Sequence, residues 1–98
     1  MPKAYAVVTY HSIKDPEKLA AYAKLAGPSA AAAGGKFLVR SAAPAKVYEK
    51  GLMQRTVVCE FESLAKALAA YESPAYKEAL RALGDGAVRD FRIVEGVA

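Results

Sequence analysis

The amino-acid sequence predicts an α+β domain with the element order β-α-β-β-α-β, and three observations carry that expectation. Four short segments are rich in β-branched and aromatic residues, one near each end of the chain and two in its middle. Two longer segments between them repeat apolar residues at helical spacing. Helix signals stand at the matching places: Asp15-Pro16 and Ser63 before the periodic runs, glycines after them. With 98 residues there is room for one hydrophobic core, so residues 1–98 read as a single domain.

Lys3 to His11 (KAYAVVTYH) is the first expected strand. Its apolar residues fall on both alternation sets, Tyr5 and Val7 on one, Ala6, Val8 and Tyr10 on the other, which requires cover on both faces. Asp15 caps the first helix, Pro16 takes its first position, and Glu17 meets the positive end of the helix dipole. Leu19, Tyr22, Ala23 and Ala26 continue at helical spacing; Gly27-Pro28 is expected to interrupt the helix and Gly34-Gly35 to end it. Lys36 to Arg40 is the second strand, extended through Lys46 to Glu49 after a break at Pro44, and Gln54 to Phe61 is the third, pairing with it as a hairpin. Ser63 opens the second helix, with Leu64, Leu68 and Tyr71 at core spacing, and Ser73-Pro74 breaks and restarts it with Tyr76, Leu80 and Leu83 on the next face. Val88 to Val94 closes the set.

This order is the split β-α-β plan of ferredoxin-like domains, with both helices on one sheet face. The other face is then bare, yet the first and third strands are apolar there as well. Two copies packed sheet to sheet satisfy this, so the expectation is a homodimer closing a dimeric α/β barrel.

Composition narrows the function classes. Fourteen basic and ten acidic residues leave +4, but the cations are scattered, without the clustering and interleaved aromatics that nucleic-acid binding calls for. The single cysteine, Cys59, forms no internal disulfide and suits a reducing compartment, and no long apolar run suits a membrane span, so a cytoplasmic protein is expected.

Several stretches together resemble one family: Asp15-Pro16-Glu17 leading to Tyr22, Gly34-Gly35-Lys36-Phe37-Leu38-Val39-Arg40, Glu60-Phe61-Glu62-Ser63, and Tyr71-Glu72-Ser73-Pro74-Ala75-Tyr76. The resemblance is to the bacterial family termed domain of unknown function 1330, within the dimeric α/β-barrel superfamily. It departs from the family pattern where Ser41-Ala42 replace two glycines and where Ala70 replaces a tryptophan. The resemblance implies a ferredoxin-like protomer and a barrel-forming dimer, but no particular reaction. The superfamily includes small monooxygenases, haem-degrading proteins, lactone isomerases and stress-induced proteins.

The candidate chemistry is sparse. His11, the one histidine, is a general acid/base candidate at neutral pH, or else a strand-end residue facing solvent. Arg40 and Glu60 sit in adjacent strands among apolar neighbours. They read either as a buried or interfacial pair that fixes the dimer, or as an anion anchor (Arg40) and a base with a burial-raised pKa (Glu60). Tyr22 and Tyr76 face the sheet as core residues or as contacts to a ligand in a cleft. Cys59 is expected to be a buried core thiol. No metal-ligand spacing, nucleophile elbow, P-loop or dinucleotide fingerprint occurs, and no cofactor is implied. Two functions stay open. One is a small-molecule-binding domain or cofactor-independent small enzyme, monooxygenase- or isomerase-like, taking a small polar or anionic ligand between sheet and helices. The other is a non-catalytic dimeric structural or stress-related protein.

Overall fold

The apolar alternation of the first strand resolves into the two faces of one sheet. The computed structural model describes residues 2–97 of the expected domain; Met1 and Ala98 lie outside it. The elements are β1 (Ala4–Ile13), α1 (Pro16–Ala32), β2 (Lys36–Ser41), β3 (Thr56–Phe61), α2 (Leu64–Glu72), α3 (Pro74–Leu83) and β4 (Ala87–Glu95). The architecture is α+β and ferredoxin-like: a four-stranded antiparallel sheet in the order β2-β3-β1-β4, with the helices packed on one face.

That face carries Ala4, Ala6, Val8 and Tyr10 of β1, all buried. Register sets Val57, Cys59 and Phe61 of β3 opposite Val8, Ala6 and Ala4, and Phe91 and Ile93 of β4 opposite Val8 and Ala6. Six of the twelve buried apolar residues among those described are alanines, which lets helix backbones lie close to the sheet. Gly35 shows how close: a β-carbon there would stand 2.8 Å from Phe61 and 2.9 Å from Cys59. The opposite face presents Tyr5, Val7, Thr9 and His11 of β1, with Val58 and Glu60 of β3, and among the described residues no helix or strand packs over its centre.

Three local expectations are corrected. Gly27-Pro28 does not interrupt α1, which runs from Pro16 through Pro28 to Ala32. Proline removes one helical hydrogen bond, but the glycine before it has no β-carbon to clash with the ring, and Ala26 and Ser29 on either side are buried. The strand extension over Lys46 to Glu49 is absent; residues 42–55 form an irregular connection with a turn closed by the Gly51 N–H donating to the Tyr48 carbonyl at 3.0 Å. In α2 the buried positions are Ala67 and Ala70, while Leu64, Leu68 and Tyr71 are partly exposed, because the small residues bring the helix down and leave the large ones flanking it. A register shift between Phe37 and Val39 in β2 accommodates an extra residue, so that Phe37 and Arg40, three apart, share the helix-covered face.

Ser73 performs the expected break between α2 and α3: its hydroxyl accepts from the Tyr76 N–H at 3.2 Å and donates to the Ala70 carbonyl at 2.9 Å. Among the described residues no helix is long and apolar enough to cross a membrane.

Candidate functional site

Alanine-lined contact between helices and sheet is incomplete toward one end, and a cavity of about 80 Å³ opens there to solvent. Its floor is apolar, built from Ala6, Cys59, Phe61 and Ile93. Toward the mouth the helix-facing side chains become cationic and phenolic. Arg40 stands beside Val57 on β3. One row further, Tyr10 of β1 lies between Arg55, whose carbonyl accepts from the Tyr10 N–H at 3.0 Å, and Arg89 of β4.

Arg89 gathers the tyrosines. Its Nη1 donates to the hydroxyls of Tyr10 and Tyr22, each at 3.1 Å, and its Nη2 to that of Tyr76 at 3.1 Å. The Tyr22 and Tyr76 hydroxyls are themselves 2.6 Å apart. The guanidinium lies 4.7 Å from the Tyr22 ring centre and 5.3 Å from that of Phe91, at cation–π range. Burial works against charge on Arg89, but the surrounding phenolic oxygens outweigh it and hold its pKa above the ordinary value. Burial pushes the Tyr76 phenol well above the tyrosine range, reinforced by Tyr22 and partly opposed by Arg89. Arg89 therefore faces the cavity as a cation and Tyr76 as a neutral phenol.

Arg55 and Arg40 complete the wall. The Arg55 Nε is fully enclosed and has no hydrogen-bond partner. Arg40 lies against the Phe37 ring, 4.5 Å from its centre, and its Nη1 reaches α1, 3.7 Å from where a β-carbon on Gly27 would stand. Among the described residues lining the cavity none is acidic. Three guanidinium groups thus share a partly desolvated space without a counter-charge, where their field is weakly screened. The Cys59 thiol is raised by burial, which the Lys36 backbone and Arg40 offset only in part, so it is a poor nucleophile.

A family model for a domain of unknown function, DUF1330, matches residues 3–97, nearly the whole chain. The chain belongs to the DUF1330 family. No curated protein matches by sequence. Among solved structures, the RPA0582 protein of unknown function from Rhodopseudomonas palustris superposes with a TM-score of 0.79 at 14% identity, covering 99% of this chain and 84% of that one. A nipsnap family protein with unknown function from Agrobacterium tumefaciens gives 0.61 at 16% identity, covering 98% and 89%. SnoaB, a cofactor-independent oxygenase from Streptomyces nogalater, gives 0.61 at 14% identity, covering 100% and 96%. At these identities the likeness is one of fold.

Within this DUF1330 chain, three of the residues singled out from sequence meet at the cavity: Arg40, Tyr22 and Tyr76. Glu60 and His11 lie on the opposite sheet face. Glu60 is held by Lys3 at 3.2 Å and by the Tyr5 hydroxyl at 3.3 Å. His11 Nε2 is 3.0 Å from Asp90, at the rim of a shallow hollow of about 340 Å³ beneath the 42–55 connection. Arg40 and Glu60 are therefore not a pair; the β2 bulge turns Arg40 to the helices while Glu60 keeps to the open face. Sequence reasoning missed Arg89, Arg55 and Tyr10 as site residues. A signal was present for Arg89, which alternates with the apolar Phe91 and Ile93 and so shares their buried side.

Proposed function

We propose that this chain binds a small organic anion in the cavity between sheet and helices, as a small-molecule-binding domain or a cofactor-independent small enzyme. The observation that carries this reading is the cavity wall of Arg40, Arg55 and Arg89 with no acidic residue among its described lining. Partly buried Arg55 and Arg89, together with exposed Arg40, have no carboxylate partner among the described residues, and such a group of cations favours an anion from outside. Arg40 anchors the ligand, and Tyr22 and Tyr76 contact it beside Arg89. Monooxygenase- or isomerase-like chemistry fits a wall of this kind, because oriented donors stabilise an oxyanion as it forms. The fold shared with SnoaB, a cofactor-independent oxygenase, supports that direction. Glu60 and His11, on the other face, are given no part in this cavity.

The active form is proposed to be a homodimer in a reducing, cytoplasmic setting. Val39 and Val94 on the uncovered face are 41% and 44% exposed, more apolar surface than a lone protomer usefully shows beside Val7 and Val58. Native mass spectrometry of protein purified from its own cells tests both parts together. The expected result is a dimer retaining an anionic compound, which Arg40→Ala loses while remaining dimeric. A wild-type protein that retains nothing, and in which no organic anion perturbs the cavity residues, would overturn the reading.

A further inference from the structure

The donors and acceptors on the cavity wall narrow the ligand further, on the reading that this cavity is the binding site. Three hydroxyls, those of Tyr10, Tyr22 and Tyr76, carry three protons, and each oxygen already accepts from Arg89. One proton closes the Tyr22–Tyr76 hydrogen bond. The other two, on Tyr10 and on one member of that pair, have no acceptor among the described residues. At the other side the Arg55 Nε–H is enclosed and likewise lacks an acceptor, and Arg40 has no ion-pair partner among the described residues. The charged and phenolic groups at the mouth thus offer donors in two separate clusters, one doubly cationic, the other phenolic and braced by a cation.

Register sets their spacing. Arg55, one residue before β3, accepts from the Tyr10 N–H of β1 through its carbonyl, and Arg89 of β4 pairs with Tyr10 from the other side, so their backbones are two strand spacings apart, about 10 Å. Arg40 pairs with Val57 of β3, and Arg55 stands two residues before Val57, just ahead of that strand, which sets the two arginines about 7–8 Å apart at the backbone. The paired arginines suit a carboxylate, whose two oxygens accept from several N–H groups at once. The tyrosine cluster suits a single further oxygen, carbonyl or enolate. The apolar floor between them suits a short carbon chain.

We propose that the site takes a short-chain oxo-carboxylate, its carboxylate received by Arg40 and Arg55 and its carbonyl or enol oxygen by the hydroxyls of Tyr10 and the Tyr22–Tyr76 pair. The volume of about 80 Å³ is below the ~150 Å³ cavity that takes up benzene, so the enclosed part of the ligand is a linear chain and not a ring.

The test is an amide NMR titration with 4-oxopentanoate, pentanoate and pentan-2-one, which carry both ends, the acid alone and the ketone alone. Shifts are expected at Val8, Tyr10 and Val57, with 4-oxopentanoate binding about tenfold or more tightly than pentanoate, the gain of one good hydrogen-bonded contact. Arg40→Gln is expected to weaken both acids alike. Tyr22→Phe is expected to erase the advantage of 4-oxopentanoate and leave pentanoate unchanged, and Tyr10→Phe serves if that variant does not fold. Equal affinities for 4-oxopentanoate and pentanoate, with shifts at those amides, would overturn the oxo-carboxylate assignment while the anion cavity stands. Absence of shifts at those amides with every probe would overturn both.

Discussion

At the scale of single residues, Arg89 and its three tyrosines combine stability with readiness to bind. A half-buried cation without a carboxylate is normally unfavourable, and here phenolic oxygens and aromatic faces take the place of a counter-ion. The same arrangement sets an alkaline limit on the fold. Tyr76 keeps its proton in the native state far above the unfolded value of about 10, so its contribution is fully present below that pH. Above it the unfolded chain ionises first and stability falls, by about 1.4 kcal/mol per pH unit from this one group. Urea unfolding between pH 9 and 11 is expected to show a stability loss that steepens toward that slope at the upper end in the wild type, and a shallower loss in Tyr76→Phe. Arg40, exposed at the mouth and free of any pairing with Glu60, is expected to behave otherwise: Arg40→Ala should change unfolding free energy by less than about 1 kcal/mol while ligand binding disappears.

At the scale of elements, two small residues decide how the helices meet the sheet. Ser73 ends α2 and begins α3 through one hydroxyl, and the turn it makes brings Tyr76 beneath α1 to meet Tyr22. Ser73→Ala is expected to cost about 1–2 kcal/mol in denaturant melts, as for loss of a helix cap. Gly35 lets the end of α1 pass over Phe61 and Cys59. In Gly35→Ala the new methyl meets the Phe61 ring, the Cys59 sulfur and, at 3.0 Å, the Ala30 carbonyl, so a loss of about 1–3 kcal/mol is expected from the same melts. Both elements were legible in the sequence, because Ser-Pro and Gly-Gly are backbone signals that act locally. The continuity of α1 through Pro28 was not, since burial of Ala26 and Ser29 against the rest of the molecule outweighs the local break.

At the scale of the whole molecule, the chain folds into a slab of 36 × 33 × 15 Å, one sheet thick and one helix layer deep. Half of its buried apolar residues are alanines, which contribute little burial energy each, and one broad face of the sheet has no cover from the described residues. Pairing through that face is the proposed remedy. A charge placed at its centre, as in Val58→Lys, is expected to leave monomers by analytical ultracentrifugation; a wild type that sediments as a monomer at all concentrations would remove the dimer proposal.

The sequence by itself determined the α+β class, the order of the strands and helices, the antiparallel hairpin, the caps and the family, because each depends on alternation, periodicity or backbone signals within a few neighbouring residues. It also determined that Cys59 is buried, since the residue alternates in step with Val57 and Phe61. Only the tertiary structure decided the site. Arg40 and Glu60 stand on strands that are neighbours, and strict alternation counted from Phe37 would put both on the open face. One extra residue near Leu38 turns Arg40 to the other side. Arg55 and Arg89 are 34 positions apart in the chain and come together only because β1 runs between β4 and the residue that leads into β3. A cavity is the space that packing leaves, and no local pattern in the chain records it.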